Sequence, residues 1–182
     1  MRTVEVSKTL RIPEGVEVSV KDRVVTVKGP KGTLTRDFSN APIAIEHHGN
    51  EISIQTSWPR KKEASVVGTI YSHINNMITG IRKGFTYKVK VIFAHFPVTV
   101  TVKGNNVLIE NFTGERSARI AKIKGDTKVT VKGEDIIIQG IDLEGVAQTA
   151  ANMEQATRVK RKDPRIFLDG LFIFERSEGM EG

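Results

Sequence analysis

Five cations fall within eight residues near the C-terminus: Arg158, Lys160, Arg161, Lys162 and Arg165. Lysine and arginine packed this closely point to neutralisation of an extended polyanion, because each charge meets one repeat of a phosphate backbone. One or two cations would suffice to complement the macrodipole of a helix end; this run carries more. A second group surrounds Arg119, Lys122 and Lys124, where only Asp126 interrupts the positive charge from Arg116 to Lys132. Weaker candidates of the same kind are Lys28 and Lys31, around Gly29-Pro30-Lys31-Gly32, and the run Arg60-Lys61-Lys62.

Bond-making chemistry finds little support. There is no cysteine, hence no thiolate nucleophile and no thiolate metal site. His47 and His48 are adjacent, but no carboxylate or third imidazole sits at ligand spacing, so neither a metal nor a cofactor is expected. His73 and His95 read as packing or surface residues. Serine, histidine and acid occur without a nucleophile elbow, and no nucleotide-binding fingerprint is present. Gly29–Gly32 would let backbone amides approach an anion, yet its flanks read as strands and a β-turn is the better reading. The chain is therefore not expected to be an enzyme. Aromatic residues make up 6% of the chain. Phe85, Tyr87, Phe93, Phe167, Phe172 and Phe174 read as core or its flank rather than as a base-stacking platform, which disfavours sequence-tolerant single-strand binding. Trp58, beside Pro59 and the Arg60–Lys62 run, is the exception.

The positioning elements follow from periodicity. Asp142 is placed to cap a helix, on which Val146, Ala150, Met153 and Ala156/Thr157 share one face. That helix is expected to run on into Arg158, Lys160, Arg161 and Lys162, until Asp163-Pro164 stops it. Upstream, Val16–Val20, Val24–Lys28, Thr33–Asp37, Ile43–Glu46 and Glu51–Thr56 alternate as strands after a short N-terminal arm. A helix follows with Val67, Ile70/Tyr71, Ile74, Met77/Ile78 and Ile81 as its apolar stripe. The plan then repeats. Adding 82 carries Val25 and Val27 onto Val107 and Ile109, adding 84 carries Ile52 and Ile54 onto Ile136 and Ile138, and adding 80 carries Val66 and Thr69 onto Val146 and Thr149. Three blocks in one order indicate duplication. The expected fold is α+β: two tandem repeated domains, each an antiparallel sheet packed on one helix, spanning 1–84 and 85–182. The strand Phe85–Phe93 is assignable to either, Leu171–Phe174 closes the second, and an acidic tail follows from about 175.

Across 182 residues, 28 Lys+Arg against 21 Asp+Glu give a net charge of +7. Such a balance, with no apolar run long enough to span a membrane and no apolar signal segment, points first to nucleic acid and to the cytoplasm. An anionic membrane surface or an acidic protein comes second. A free-standing basic module binding RNA or an acidic partner is the competing class.

Val27-Lys-Gly-Pro-Lys-Gly32, Gly140-Ile-Asp142, Gln148-Thr-Ala-Ala-Asn152 and Lys162-Asp-Pro-Arg-Ile-Phe-Leu-Asp-Gly170 resemble the universal large-subunit ribosomal protein family numbered six in bacteria and nine in most eukaryotes. Phe93-Ala-His-Phe-Pro97 and Glu154-Gln-Ala-Thr157 are most similar to its archaeal branch. Gly145, in the first turn of the second helix, departs from the stronger helix former usual there, at a cost of up to about 1 kcal/mol. The resemblance implies a structural constituent of the large ribosomal subunit in the cytoplasm. It further implies binding to large-subunit rRNA near the sarcin–ricin loop and stalk base, mainly through the second domain. Neighbouring ribosomal proteins and translational GTPases would lie nearby; no membrane contact and no homo-oligomer are implied.

Overall fold

The computed structural model describes residues 4–160, 162–163 and 165–180. The chain divides into two compact units, Met1–Lys83 and Gly84–Gly182. Each has its own apolar core.

In the first unit, β1 (Glu5–Arg11), β2 (Glu17–Lys21), β3 (Val24–Gly29), β4 (Gly32–Asp37), β5 (Ala44–His48) and β6 (Glu51–Ser57) precede α1 (Lys61–Arg82). They form two three-stranded antiparallel sheets, ordered β1-β6-β5 and β2-β3-β4. Alternation sends Val25 and Val27, with Ile52 and Ile54, fully inward. The 3.6-residue stripe of α1 delivers Val67, Ile70, Ile74, Met77 and Ile81 to the same core. Fully burying each large apolar side chain contributes about 1.5–3 kcal/mol. The expected N-terminal arm is instead the strand β1, paired with β6 from Glu5↔Ser57 to Arg11↔Glu51. Only Leu10 along it is buried, so the strand is held by its backbone ladder and shows little alternation.

The second unit contains β7 (Phe85–Ile92), β8 (Thr99–Lys103), β9 (Asn106–Glu110), β10 (Arg119–Lys122), β11 (Lys128–Lys132), β12 (Asp135–Gly140), α2 (Leu143–Ala156) and β13 (Gly170–Glu178). Its sheets are ordered β11-β12-β7-β13 and β10-β9-β8. The α+β class and the repeated plan are therefore present. Leu10 faces Ile52 across β1 and β6 as Val89 faces Ile136 across β7 and β12, so β7 opens the second copy as β1 opens the first. The turns agree too: Gly49 and Gly133 both take positive φ, 59° and 63°, between the last two strands before each helix.

The helix block of the repeat needs correction. Val66 is only half-buried and Thr69 is exposed, whereas Val146 and Thr149 are buried. A shift of 79 matches Val67, Ile70 and Ile74 with Val146, Thr149 and Met153, all of them buried. The acidic tail is likewise shorter than expected. Glu175, Arg176, Ser177 and Glu178 continue β13, paired with Lys88, Tyr87, Thr86 and Phe85 after a bulge at Phe174. Lys88 Nζ lies 3.1 Å from Glu175 Oε2, and the Arg176 guanidinium sits 5.7 Å from the Tyr87 ring centre. These cross-strand pairs hold polar residues in a ladder that composition alone marks as tail.

Candidate nucleic-acid interface

α2 begins as expected: Asp142 accepts from the backbone N–H groups of Glu144 (3.2 Å) and Gly145 (3.0 Å). Gly145 has a packing reason. A Cβ there would stand 3.1 Å from the Lys124 carbonyl oxygen and 3.2 Å from Thr127 Oγ1, so the glycine lets the segment before β11 lie against the helix.

The helix stops earlier than its sequence suggests, at Ala156 with Thr157 as cap. Two side chains end it. Thr157 Oγ1 accepts from the Leu171 N–H at 3.0 Å, tying the cap to β13. Arg119 Nη1 donates to the carbonyls of Ala156 (2.8 Å) and Arg158 (3.2 Å), occupying acceptors of the last turn and the next residue. Arg158, Lys160 and Lys162 consequently lie on the connection to β13 rather than on a helix face.

Arg119 holds this connection from several sides. Its Nε and Nη2 donate to Glu115 at 2.8 and 2.6 Å, and its guanidinium carbon lies 4.4 Å from the Phe112 ring centre. The hydrogen bonds from Arg119 hold the Glu115 carboxyl below the usual range against a partial desolvation, with Lys162 nearby adding to the effect. A guanidinium so engaged positions its neighbours more than it offers donors to an outside phosphate.

A second lock acts at the far end of the connection. Asp169 is buried, and its carboxylate accepts from Ala94 N at 2.6 Å, His95 N at 3.3 Å and the His95 ring Nδ1 at 2.8 Å. Burial pushes this carboxyl up, but the hydrogen bonds outweigh it and its pKa is lowered. The His95 ring in turn stacks on Phe167 with centres 4.7 Å apart, and Lys162 Nζ stands 4.5 Å from the Phe167 ring centre. Between the locks, Asp163 accepts from Arg165 through the backbone N–H (3.0 Å), Nε (3.1 Å) and Nη2 (2.9 Å). Those hydrogen bonds lower the Asp163 carboxyl and raise Arg165.

Arg158 and Lys160 are exposed and have no ion-pair partner among the described residues; Arg161 and Pro164 lie outside those residues. Lys122 is beside α2 through its carbonyl, which accepts from Asn152 Nδ2 at 2.8 Å. The Lys124 N–H donates to Thr149 Oγ1 at 2.9 Å. Lys124 shares a depression with Asp142 and Glu144 at the start of α2, and Glu144 is about 18 Å along the helix from Ala156 at 1.5 Å per residue. The structure thus gathers Arg119, Arg158 and Lys162 and leaves Lys124 at the other end, among acids.

The weaker candidates occupy the first unit. Lys28 lies on β3 just before a β-turn that contains Lys31, and the turn is seated on the end of α1, where the Lys31 N–H donates to the Ile81 carbonyl at 3.2 Å. Arg60 caps α1, its N–H donating to Glu63 Oε2 at 2.7 Å, and Lys61 and Lys62 begin the helix. Cations at the positive end of a helix oppose the macrodipole, so helix stability does not account for them. Trp58 beside them is 69% exposed.

Reading the aromatic residues as core or flank misses several. Phe85 is buried, but Phe93, Phe172 and Phe174 are 38%, 41% and 53% exposed. The same strand alternation that buries Leu171 turns Phe172 outward. Among the described residues, no three His, Asp or Glu side chains are grouped to hold a metal, and no helix is long and apolar enough to cross a membrane.

Two copies of one α+β plan, with cations mounted on a connection locked at both ends, define a duplicated scaffold with a basic face. Its sequence has close relatives. The pattern of the family described as Ribosomal protein L6 matches residues 12–84 and 96–170, one stretch in each unit. The chain is 50% identical over 182 residues to the large ribosomal subunit protein uL6 of Desulfurococcus amylolyticus, covering 98% of this chain and 99% of that one. It is 52% identical over 171 residues to the uL6 of Staphylothermus marinus (92% of each), and 47% over 171 residues to that of Methanobrevibacter smithii (94% and 96%). The chain belongs to the ribosomal protein L6 family, a structural and non-enzymatic family, on its archaeal side.

Proposed function

We propose that this chain is a constituent of the large ribosomal subunit in the cytoplasm and binds rRNA chiefly through its second unit. The site on the particle is the region of the sarcin–ricin loop and stalk base, among neighbouring ribosomal proteins and within reach of passing translational GTPases. The observation that carries the rRNA reading is the Arg158–Arg165 connection, held by Arg119 at one end and Asp169 at the other. Cations held in this way, Arg158, Lys160, Lys162 and Arg165 among the described residues, meet a phosphate backbone without first losing loop entropy. Arg158, Lys160, Arg161, Lys162 and Arg165 act as phosphate contacts, with Lys122 and Lys124 extending the face along α2. Lys28, Lys31, Arg60, Lys61 and Lys62 make a lesser contribution from the first unit. Arg119 supports the face from behind.

Native lysate run through a sucrose gradient should carry the chain with the large subunit. Neutralising roughly six phosphates gives a slope of log K against log salt of about −5. Replacing Arg158, Lys160, Arg161 and Lys162 by alanine should reduce that slope and weaken binding to large-subunit rRNA while leaving the fold intact. Unchanged affinity would sink the assignment, and equal affinity for heparin or anionic vesicles would favour a free-standing basic module.

A further inference from the structure

Beside the basic connection lies a groove of about 580 Å³, whose lining includes Glu154, Gln155, Arg158, Val159, Leu168 and Phe172. Its walls are apolar and open: Leu168 is 61% exposed and Phe172 41%. Gly170 shapes one wall, since a Cβ there would come within 2.9 Å of Phe172 Cε2 and Cζ. Only the bare backbone lets the ring lie where it does. Phe167 lines the groove as well but is already engaged by His95 and Lys162, whereas no aromatic or cationic group occupies Phe172 among the described residues.

We propose that this groove receives one unpaired nucleobase of the bound RNA, stacked against Phe172 and Leu168, while Arg158, Lys160 and Lys162 hold the flanking phosphates. The inference rests on the RNA-binding reading above and adds base contact to it. A base has apolar faces and a hydrogen-bonding edge. Gln155 both donates and accepts and Glu154 accepts, so the groove offers partners for such an edge beside its apolar walls. The volume lies within the usual range for small-ligand pockets. A phosphate alone has no use for Leu168 and Phe172. An apolar side chain from a protein has no use for the cationic rim.

The full chain and its Phe172→Ala variant are titrated with a large-subunit rRNA transcript over a range of salt. Each complex is then probed with dimethyl sulfate and carbodiimide at base edges and with hydroxyl radical at the backbone. Loss of a stacked base should weaken binding about tenfold and leave the salt slope unchanged, because no phosphate contact is removed. One base should become reactive in the variant complex while its backbone stays protected, and Phe172→Trp should restore the protection. Leu168→Ala, on the exposed connection, gives the same readout without touching β13. Unchanged affinity and an unchanged base pattern in both alanine variants overturn the base site. If Arg158→Ala and Lys160→Ala still lower the slope in that case, the RNA reading stands; if they do not, that reading falls with it. Normal binding to bare rRNA with poor incorporation into the subunit would assign the groove to a protein neighbour and overturn the proposal.

Discussion

Asp169 and Arg119 show how two side chains of opposite charge can serve one loop. Asp169 satisfies two backbone N–H groups and a histidine ring from inside the unit. Asp169→Asn keeps the shape but removes the charge from three hydrogen bonds and turns one oxygen into a donor. Charge-assisted bonds contribute more than neutral ones, so the second unit should lose about 3 kcal/mol, measured by urea unfolding. The sign of its pH dependence is fixed as well. A folded pKa below the ordinary 3.8 means that the stabilisation is complete above that value and is lost as pH falls through the folded one. As pH falls below 3.8 the wild type should therefore lose more stability than Asp169→Asn. Gly145→Ala tests the close approach of Lys124. If helix propensity governed, the alanine would stabilise; the 3.1 Å contact with backbone predicts a neutral to destabilising change of roughly 1 kcal/mol.

At the level of elements, the connection between α2 and β13 differs from an ordinary loop in being tied at both ends. Thr157 joins it to Leu171 at one end, Asp169 joins it to Ala94 at the other, and Arg119 braces its start. Arg119→Ala should lower the melting temperature of the second unit. It should also weaken rRNA binding, while the salt slope falls by less than for Arg158→Ala, because a brace makes no phosphate contact. β13 matters in the same way. Truncation after Phe174 removes Glu175–Glu178 and with them four rungs against β7. The truncated chain should show a destabilised second unit by calorimetry, whereas a true tail would be dispensable.

For the molecule as a whole, each unit encloses its own core, built around Ile52, Ile54 and α1 in one and around Ile136, Ile138 and α2 in the other. A fragment of residues 84–182 should therefore fold alone and retain most of the rRNA affinity. The fragment 1–83 should bind weakly and with a shallow salt slope. Comparable affinity in the two fragments would show that the first unit, with Lys28, Lys31 and Arg60–Lys62, carries more of the interface than proposed.

The duplicated α+β plan, the one helix in each copy and the bunched cations were legible in the residues alone. Strand alternation, helical periodicity and charge spacing are local properties, and a core position such as Val27 or Ile138 announces itself by its neighbours in the chain. The helix end at Thr157, the strand character of Glu5–Arg11 and Glu175–Glu178, and the exposure of Phe172 were decided only by tertiary structure. Each depends on partners far along the chain: Arg119 capping Ala156, β6 pairing with β1, β7 pairing with β13. The same holds for Arg119, which spacing places among the phosphate contacts. Spacing counts a charge; only the fold shows that its guanidinium already faces Glu115, Phe112 and two carbonyls.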